Sequence, residues 1–382
     1  MAFEFATATR IIFGSGTLSQ IGGLAGDLGP RALLVTGRDT SRSEMAVQFL
    51  KTTGVDSVVL PVPGEPVLET VAQGVSLARS EKCDLVIGFG GGGAIDAGKA
   101  IAAMLSNDGD LLDYLEVIGQ GKPLARAGAP FIAIPTTAGT GAEVTRNAVL
   151  GSPGHRVKVS LRSPLMLPRI ALVDPALTLG LPPAVTASTG LDALTQLLEA
   201  FVSARANPMT DALCEQGIPL AARSLERACA HPDDLSARED MSLAAMYSGV
   251  ALANAGLGAV HGFAAPIGGM LTAPHGAVCA ALLPHVWKAN LEAVATRGKN
   301  DARSGRFARA ARLLTGKDDA VSAIPWLHDV CARLQIPSRR ACGIADEHLP
   351  EIVARARQAS SMKANPVELT ADELLAILKA AL

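Results

Sequence analysis

Short apolar runs alternate with amphipathic stretches through the first half of the chain. RALLVTG at 31–37 and DSVVLPV at 56–62 read as strands, each followed by a helical pattern, SEMAVQFLKTTG and then ETVAQGVSLARSEKC. CDLVIGFGGGG at 83–93 reads as a buried strand running into a loop and a helix, AIDAGKAIAAMLS. APFIAIPTTAGTG at 129–141 is a further strand ending in a turn. Strands alternating with helices predict a parallel sheet wound in βαβ units, with ligands at the carboxyl ends of its strands. Around IALVDPALTLGLPP, 170–183, the pattern changes. From Ala184 onward the period is helical, in MTDALCEQGIPLAARSLERAC, AREDMSLAAMYSGVALANA, SGRFARAARLLTG, AIPWLHDVCARLQ and ADELLAILKAAL. The predicted organisation is a parallel-sheet α/β domain over 1–182 and an all-helical domain over 183–382, with no internal repeat and no low-complexity linker.

Two strand-end turns in the α/β half carry candidate chemistry. GFGGGGAIDAGK, 88–99, puts five glycines between a strand and a helix, where a backbone can approach a ligand closely and free N–H groups favour an anion such as pyrophosphate. It is not the GxGxxG fingerprint, and alone it is equally well a tight packing turn. PTTAGTGAEVT, 135–145, adds hydroxyls suited to phosphate, ribose or an amide.

In the helical half, TGLDALTQLLEAFVS places Asp192, Gln196 and Glu199 on one helix face and Leu191, Leu194, Leu198 and Phe201 on the opposite one. His261 and His275 lie fourteen residues apart in the nearly uncharged stretch AGLGAVHGFAAPIGGMLTAPHGAVCAALLPHVW. A solvated helix face and two packed histidines would explain these residues. Two facts favour a divalent-metal site: no Lys or Arg occurs between Arg169 and Arg205, and His275 lies in a Pro-His-Gly turn.

Composition narrows the classes. With 382 residues, a formal charge of -2 and 3% aromatics, the chain gives no electrostatic case for nucleic acid or a membrane surface. No apolar run approaches the roughly 20 residues of a membrane span, and MAFEFATATRIIFG does not read as a signal peptide. The six cysteines are scattered without a CxxC pair, so they read as buried reduced thiols in a cytoplasmic protein.

GGGxxxD at 90–96, PTTAGTGAE at 135–143, DP at 174–175, GLDAL at 190–194, and His261 and His275 ahead of ALLPHV resemble the iron-containing (group III) alcohol dehydrogenases. The resemblance runs in order over essentially the whole chain, including the opening IIFGSGTLSQIG. It implies a dehydroquinate synthase-like architecture, with an amino-terminal dinucleotide-binding domain, a helical metal-binding domain and a cleft between them. The matching cofactor positions are Gly91, Gly92, Gly93 and Asp96, then Thr136, Thr137 and Thr140, with Lys158 and Leu177 further on; Gly37 matches the position at the adenosine ribose. The metal positions match Asp192, Gln196, His261 and His275, of which Asp192, His261 and His275 are the expected catalytic set. The resemblance implies an enzyme moving hydride between NAD or NADP and a small alcohol or aldehyde at Fe²⁺ or Zn²⁺, as a homodimer or higher homo-oligomer.

The chain departs from the family pattern at Gln196 and Ala265, where histidines are usual, and at Gly93, where Ser is usual. One carboxylate and two imidazoles still support catalytic zinc with an open position or a facial Fe(II) site. Gln196 is then a weak amide ligand or a hydrogen-bond partner. With Ala265 in place of an imidazole, the proton of oxidation leaves through water or a ribose hydroxyl; His155 and His285 are poor substitutes. After the first βα strand, NAD-preferring members often carry an acidic residue. Gly37 removes its repulsion of a 2′-phosphate and Arg38 suits one, while Asp39 argues for NAD. Two alternatives remain: a maleylacetate-reductase-like enzyme acting on an oxo-diacid through Arg146, Arg156 and Arg162, and a non-catalytic nucleotide-binding scaffold.

Overall fold

In the computed structural model, residues 2–271, 273–297, 301–338 and 340–381 are described. The chain forms two compact units: Ala6–Thr137 with Gly141–Leu179, and Gly180–Leu382 with Met1–Phe5 and Ala138–Thr140.

The first unit holds strands β1 (Arg10–Phe13), β2 (Arg31–Thr36), β3 (Asp56–Pro61), β4 (Leu85–Gly90), β5 (Phe131–Pro135), β6 (Asn147–Ser152), β7 (Val157–Arg162) and β8 (Ile170–Val173). Its helices are α1 (Ile21–Gly26), α2 (Glu44–Thr52), α3 (Leu68–Ser80), α4 (Gly92–Ser106) and the single turn α5 (Leu111–Tyr114). Six strands form one parallel sheet in the order β1-β8-β5-β4-β2-β3. Alternation along the strands divides the core between the faces: Leu33, Val35, Val86 and Phe131 join α3 and α4 on one, while Ala32, Leu34, Leu85, Ile87 and Ile132 join α1 and α2 on the other. The chain leaves β2 outward to β3 and returns inward to β4. The β2–β4 junction is therefore the switch point at which open α/β sheets bind ligands. The edge strand β1 and the antiparallel hairpin β6–β7 were not anticipated from the sequence.

The second unit is helical: α6 (Pro183–Val202), α7 (Pro208–Ala230), α8 (Leu235–Ala255), α9 (Ala259–Met270), α10 (His275–Arg297), α11 (Asp301–Thr315), α12 (Ala323–Arg333), α13 (Leu349–Ala356) and α14 (Ala371–Ala380). Helix α6 packs against α7, α8 and α10, and every residue from Gly190 to Val202 is buried. Its polar stripe therefore faces protein, as its leucine stripe does. Helices α8 and α9 meet at a bend of 97°. Among the described residues no single helix is long and apolar enough to cross a membrane; that bent pair passes such a test only jointly.

Candidate metal centre

Three segments of the helical unit bring four ligand atoms together. Asp192 and Gln196 lie one turn apart on α6, His261 is in the first turn of α9, and His275 begins α10. A Cβ on Gly276 would lie 2.1 Å from the Ser188 carbonyl oxygen, so only glycine permits the approach of α10 that sets His275 beside α6. The start of α9 is fixed by two buried side chains. Asn365 Oδ1 accepts the Ala259 N–H at 3.0 Å, and Glu199 Oε1 accepts the Val260 N–H at 2.7 Å. Asn365 is itself held by reciprocal amide bonds with Asn290, 2.7 and 3.2 Å long.

Asp192 is 2% exposed, Gln196 3% and Glu199 5%, which removes the solvated-face explanation. His261 Nε2 lies 3.3 Å from Asp192 Oδ1, and His275 Nε2 lies 3.7 Å from the same oxygen. The fourth atom is one the sequence reading dismissed. Cys279, one helical turn beyond His275, places its sulfur 3.8 Å from His261 Nε2 and 3.7 Å from His275 Nε2. All four atoms lie within 4.8 Å of one another. Bonds of the usual zinc–oxygen, –nitrogen and –sulfur lengths would give tetrahedral edges of about 3.3–3.6 Å. The four separations given above lie within a few tenths of an ångström of these, and all four atoms are close enough to share one divalent ion. The side chain of His275 is 31% exposed while those of Asp192 and His261 are buried, so the cluster is approached from the His275 side.

The surroundings orient these donors. Glu199 Oε2 accepts the Nδ1–H of His261 at 2.7 Å, which leaves the Nε2 lone pair directed at the cluster. Gln196, expected as a metal ligand, is occupied elsewhere. Its Nε2 donates to Asp192 Oδ2 at 3.0 Å and its Oε1 accepts from the Ser248 hydroxyl at 2.6 Å. The physical reason is the second oxygen of a buried carboxylate, which needs a donor; the reversed amide would set oxygen against oxygen. Burial opposes charge throughout. The two imidazoles nevertheless hold Asp192 below the usual carboxylate range, and the Cys279 sulfur with the Asp192 and Glu199 carboxylates holds His261 well above its ordinary pKa. The Cys279 thiol is lowered by the adjacent His275 and His261 against the effect of its burial. The acidic donors are thus favoured in their anionic forms beside positive charge, and a divalent cation would supply that charge in place of the imidazole protons. Ala265 lies one turn after His261, and no imidazole stands there. His155 bonds Ser152 Oγ at 2.8 Å and His285 stacks edge-on against His328, so each has a partner of its own.

The expected nucleotide residues fall along the carboxyl edge of the sheet. Gly37 follows β2, Gly91, Gly92 and Gly93 open α4 after β4, and Thr136 and Thr137 follow β5, with the Thr136 N–H bonded to the Gly90 carbonyl at 2.9 Å. A Cβ on Gly93 would lie 2.4 Å from the Gly64 carbonyl oxygen, which accounts for glycine where the family pattern has Ser. Lys158 pairs with Glu65 at 2.6 Å beside that loop, and Arg42 donates to the Leu177 carbonyl at 2.6 Å. Thr140 stands apart from these, grouping with the helical unit. Asp96 turns toward the β6–β7 hairpin, accepting the Val149 N–H at 3.1 Å and facing Lys99 at 3.5 Å. Asp39 caps its own turn by accepting from Ser41, and a Cβ at Gly37 would meet nothing within 4 Å. Asp174 accepts from the backbone of Gly16, Leu18 and Ala176, so the DP motif locks the loop after β1. Arg146, Arg156 and Arg162 lie along the β6–β7 hairpin.

The family model "Iron-containing alcohol dehydrogenase" matches residues 8–175, and "Fe-containing alcohol dehydrogenase family, C-terminal" matches 186–382. The chain is 34% identical to a 1,3-propanediol dehydrogenase of Klebsiella pneumoniae, covering 99% of this chain and 98% of that one. It is 33% identical to an NAD-dependent methanol dehydrogenase of Bacillus methanolicus, covering 97% of each. A crystal structure of a 1,3-propanediol oxidoreductase superposes with a TM-score of 0.91 at 34% identity over 100% of both chains.

Proposed function

The chain belongs to the iron-containing alcohol dehydrogenase family, and from that premise we propose that it interconverts short neutral alcohols and their aldehydes at a metal held by Asp192, His261 and His275. It is an alcohol oxidoreductase of a family that uses NAD and a divalent metal. The observation that carries the metal assignment is the convergence of Asp192 Oδ1, His261 Nε2 and His275 Nε2 from three helices. When bound, a divalent cation supplies electrophilic polarisation of the substrate oxygen, and the nicotinamide supplies or accepts the hydride. The protein's part is orientation and charge. Glu199 fixes the ring of His261, Gln196 and Ser248 fix Asp192, and Gly276 permits the approach of His275. The scarcity of cationic side chains around GLDAL and PHG favours a neutral substrate over an oxo-diacid. The relatives named for 1,3-propanediol and methanol are in keeping with that choice.

The nucleotide is read as lying along Gly37, Gly91, Gly92, Gly93, Thr136 and Thr137, at the β2–β4 switch point. Open space at Gly37 and the local engagement of Asp39 support acceptance of NADP as well as NAD. The reading includes a cytoplasmic location and a homo-oligomeric state. The test measures NADH and NADPH oxidation over a panel of aldehydes and keto acids, in chelator-stripped and metal-reloaded protein. Turnover restored by one equivalent of metal is the expected result. Full activity in metal-free protein, with keto-diacids preferred, would replace this reading with the maleylacetate-reductase-like one. Gly37→Asp should weaken NADPH selectively. A carboxylate facing a 2′-phosphate costs on the order of 1–4 kcal/mol, or roughly ten- to several-hundred-fold in kcat/KM. An unmoved NADPH/NADH ratio would place the ribose elsewhere.

A further inference from the structure

We propose that Cys279 is a metal ligand, a thiolate that completes an Asp-His-His-Cys set and makes the site zinc-selective. The inference rests on the three-residue metal site proposed above and adds a fourth donor of different chemistry; a substrate oxygen would then enter as a fifth ligand, an expansion that zinc accepts. Cys279 and His275 are four residues apart on α10 and so share a face, and that face meets Asp192 and His261. The sulfur is fully buried and equidistant, within 0.1 Å, from the two imidazole nitrogens directed at the cluster. Its separations match the nitrogen–sulfur edge of a tetrahedral zinc site, about 3.5–3.6 Å for bonds of about 2.05 and 2.3 Å. Gln196 leaves that fourth corner to it, since both ends of the amide are bonded to Asp192 and Ser248. The thiol of Cys331 shows the contrasting arrangement of a structural cysteine, donating to the Ala280 carbonyl at 3.5 Å.

Coordination breaks the S–H bond, the proton passes to water, and a sulfur electron pair forms the sulfur–metal bond; nothing is oxidised or reduced. Thiolate is a soft donor that favours zinc over ferrous iron, whereas a carboxylate and two imidazoles alone are the facial set of ferrous enzymes. The sulfur therefore changes which metal the chain selects within a family named for iron.

The experiment uses the full chain, stripped with chelator and reloaded with one equivalent of cobalt or zinc. The cobalt form should show a near-ultraviolet thiolate-to-metal charge-transfer band. X-ray absorption of the zinc form should show one sulfur scatterer at about 2.3 Å. Cys279→Ala should still take up metal, lose the band, and lose zinc affinity by more than the roughly 10–100-fold cost of removing an outer hydrogen-bond partner. Its preference for zinc over ferrous iron should fall with it. Metal bound at one per chain with only nitrogen and oxygen scatterers would overturn the thiolate and leave the three-residue site standing. Failure of the wild-type chain to bind either metal would overturn both. The absorption measurement needs no variant, so it decides the matter even if Cys279→Ala does not fold.

Discussion

Each unit buries a cluster of ionisable side chains, and the two are built on opposite plans. In the α/β unit, Lys99 is fully buried on α4 and donates to Thr145 Oγ1 at 2.9 Å and to the Asn147 carbonyl at 2.5 Å, with Asp96 3.5 Å away. Asp96 accepts from Val149, so donors and acceptors of the cluster satisfy one another and tie α4 to the hairpin. In the helical unit, the outward atoms of the cluster are satisfied by Glu199, Gln196 and Ser248, while four donor atoms face a common point. The carboxyls show the difference. Burial pushes Glu143, near Lys99, up to about 7, whereas Asp192, equally buried, is held low by its imidazoles. Burial alone does not mark a functional site. Lone pairs converging with their far sides already bonded do.

The largest effect should come from His261→Ala. It removes a donor from the convergent cluster and should release the metal, with a loss on the order of 10³-fold or more in kcat/KM if the cation supplies several kcal/mol at the transition state. Metal content and turnover that survive together would end the distinction drawn between the clusters. Lys99→Met should leave metal content alone and destabilise the fold by about 3 kcal/mol, because the acceptors of a buried cation are left unpaired. Chemical denaturation alongside metal analysis checks both halves; a stable variant without metal would reverse the roles of the two clusters.

Glu143 gives a pH test. Its folded pKa of about 7 lies above the ordinary 4.5, so the unfolded chain releases this proton first. The contribution is fully present below pH 4.5 and is lost as pH rises to about 7, amounting to at most about 3 kcal/mol. Glu143→Gln should therefore be the more stable protein at pH 8 relative to its standing at pH 4, read as a difference in unfolding midpoints. A difference that does not vary with pH would mean the carboxyl titrates in the folded chain as it does in the unfolded one. The mildest change is Glu199→Gln, which keeps an acceptor for the Val260 N–H but weakens the hold on His261. Zinc affinity should drop roughly 10–100-fold in a chelator competition. An unaltered affinity would make Glu199 a clamp for α9 and nothing more.

Much of the architecture was legible as period: β2 to β5 appeared as apolar runs, and α7, α8, α11, α12 and α14 as helical stretches, because their burial alternates with local geometry. The edge strand β1 escaped because it is short and pairs with β8, far away in sequence; the hairpin β6–β7 pairs locally, but its packing partner is the distant α4. Asp192, His261 and His275 stood out as unusual residues in apolar surroundings. Cys279 did not, since a cysteine without a CxxC partner looks like a core residue. Its signal was a four-residue spacing from His275, visible only once both are placed on one helix. Gln196 matched the position of a usual ligand, and nothing in the sequence pairs it with Ser248, fifty-two residues away. Glu199 was seen as part of a face, but its partners on α9 are set by a bend between helices that no periodicity encodes.

The bond from Asn365 to the first turn of α9 spans 106 residues of sequence, and it bears on when the protein can be finished. A ribosome delivers the chain from its amino terminus, so Asp192, Ser248 and both histidines emerge well before the side chain that holds Ala259 in place. Until residue 365 has been made, the start of α9 has Glu199 but lacks the second of its two clamps. The site is fully ordered only in a completed chain, so whatever selectivity its donors carry is exercised after synthesis.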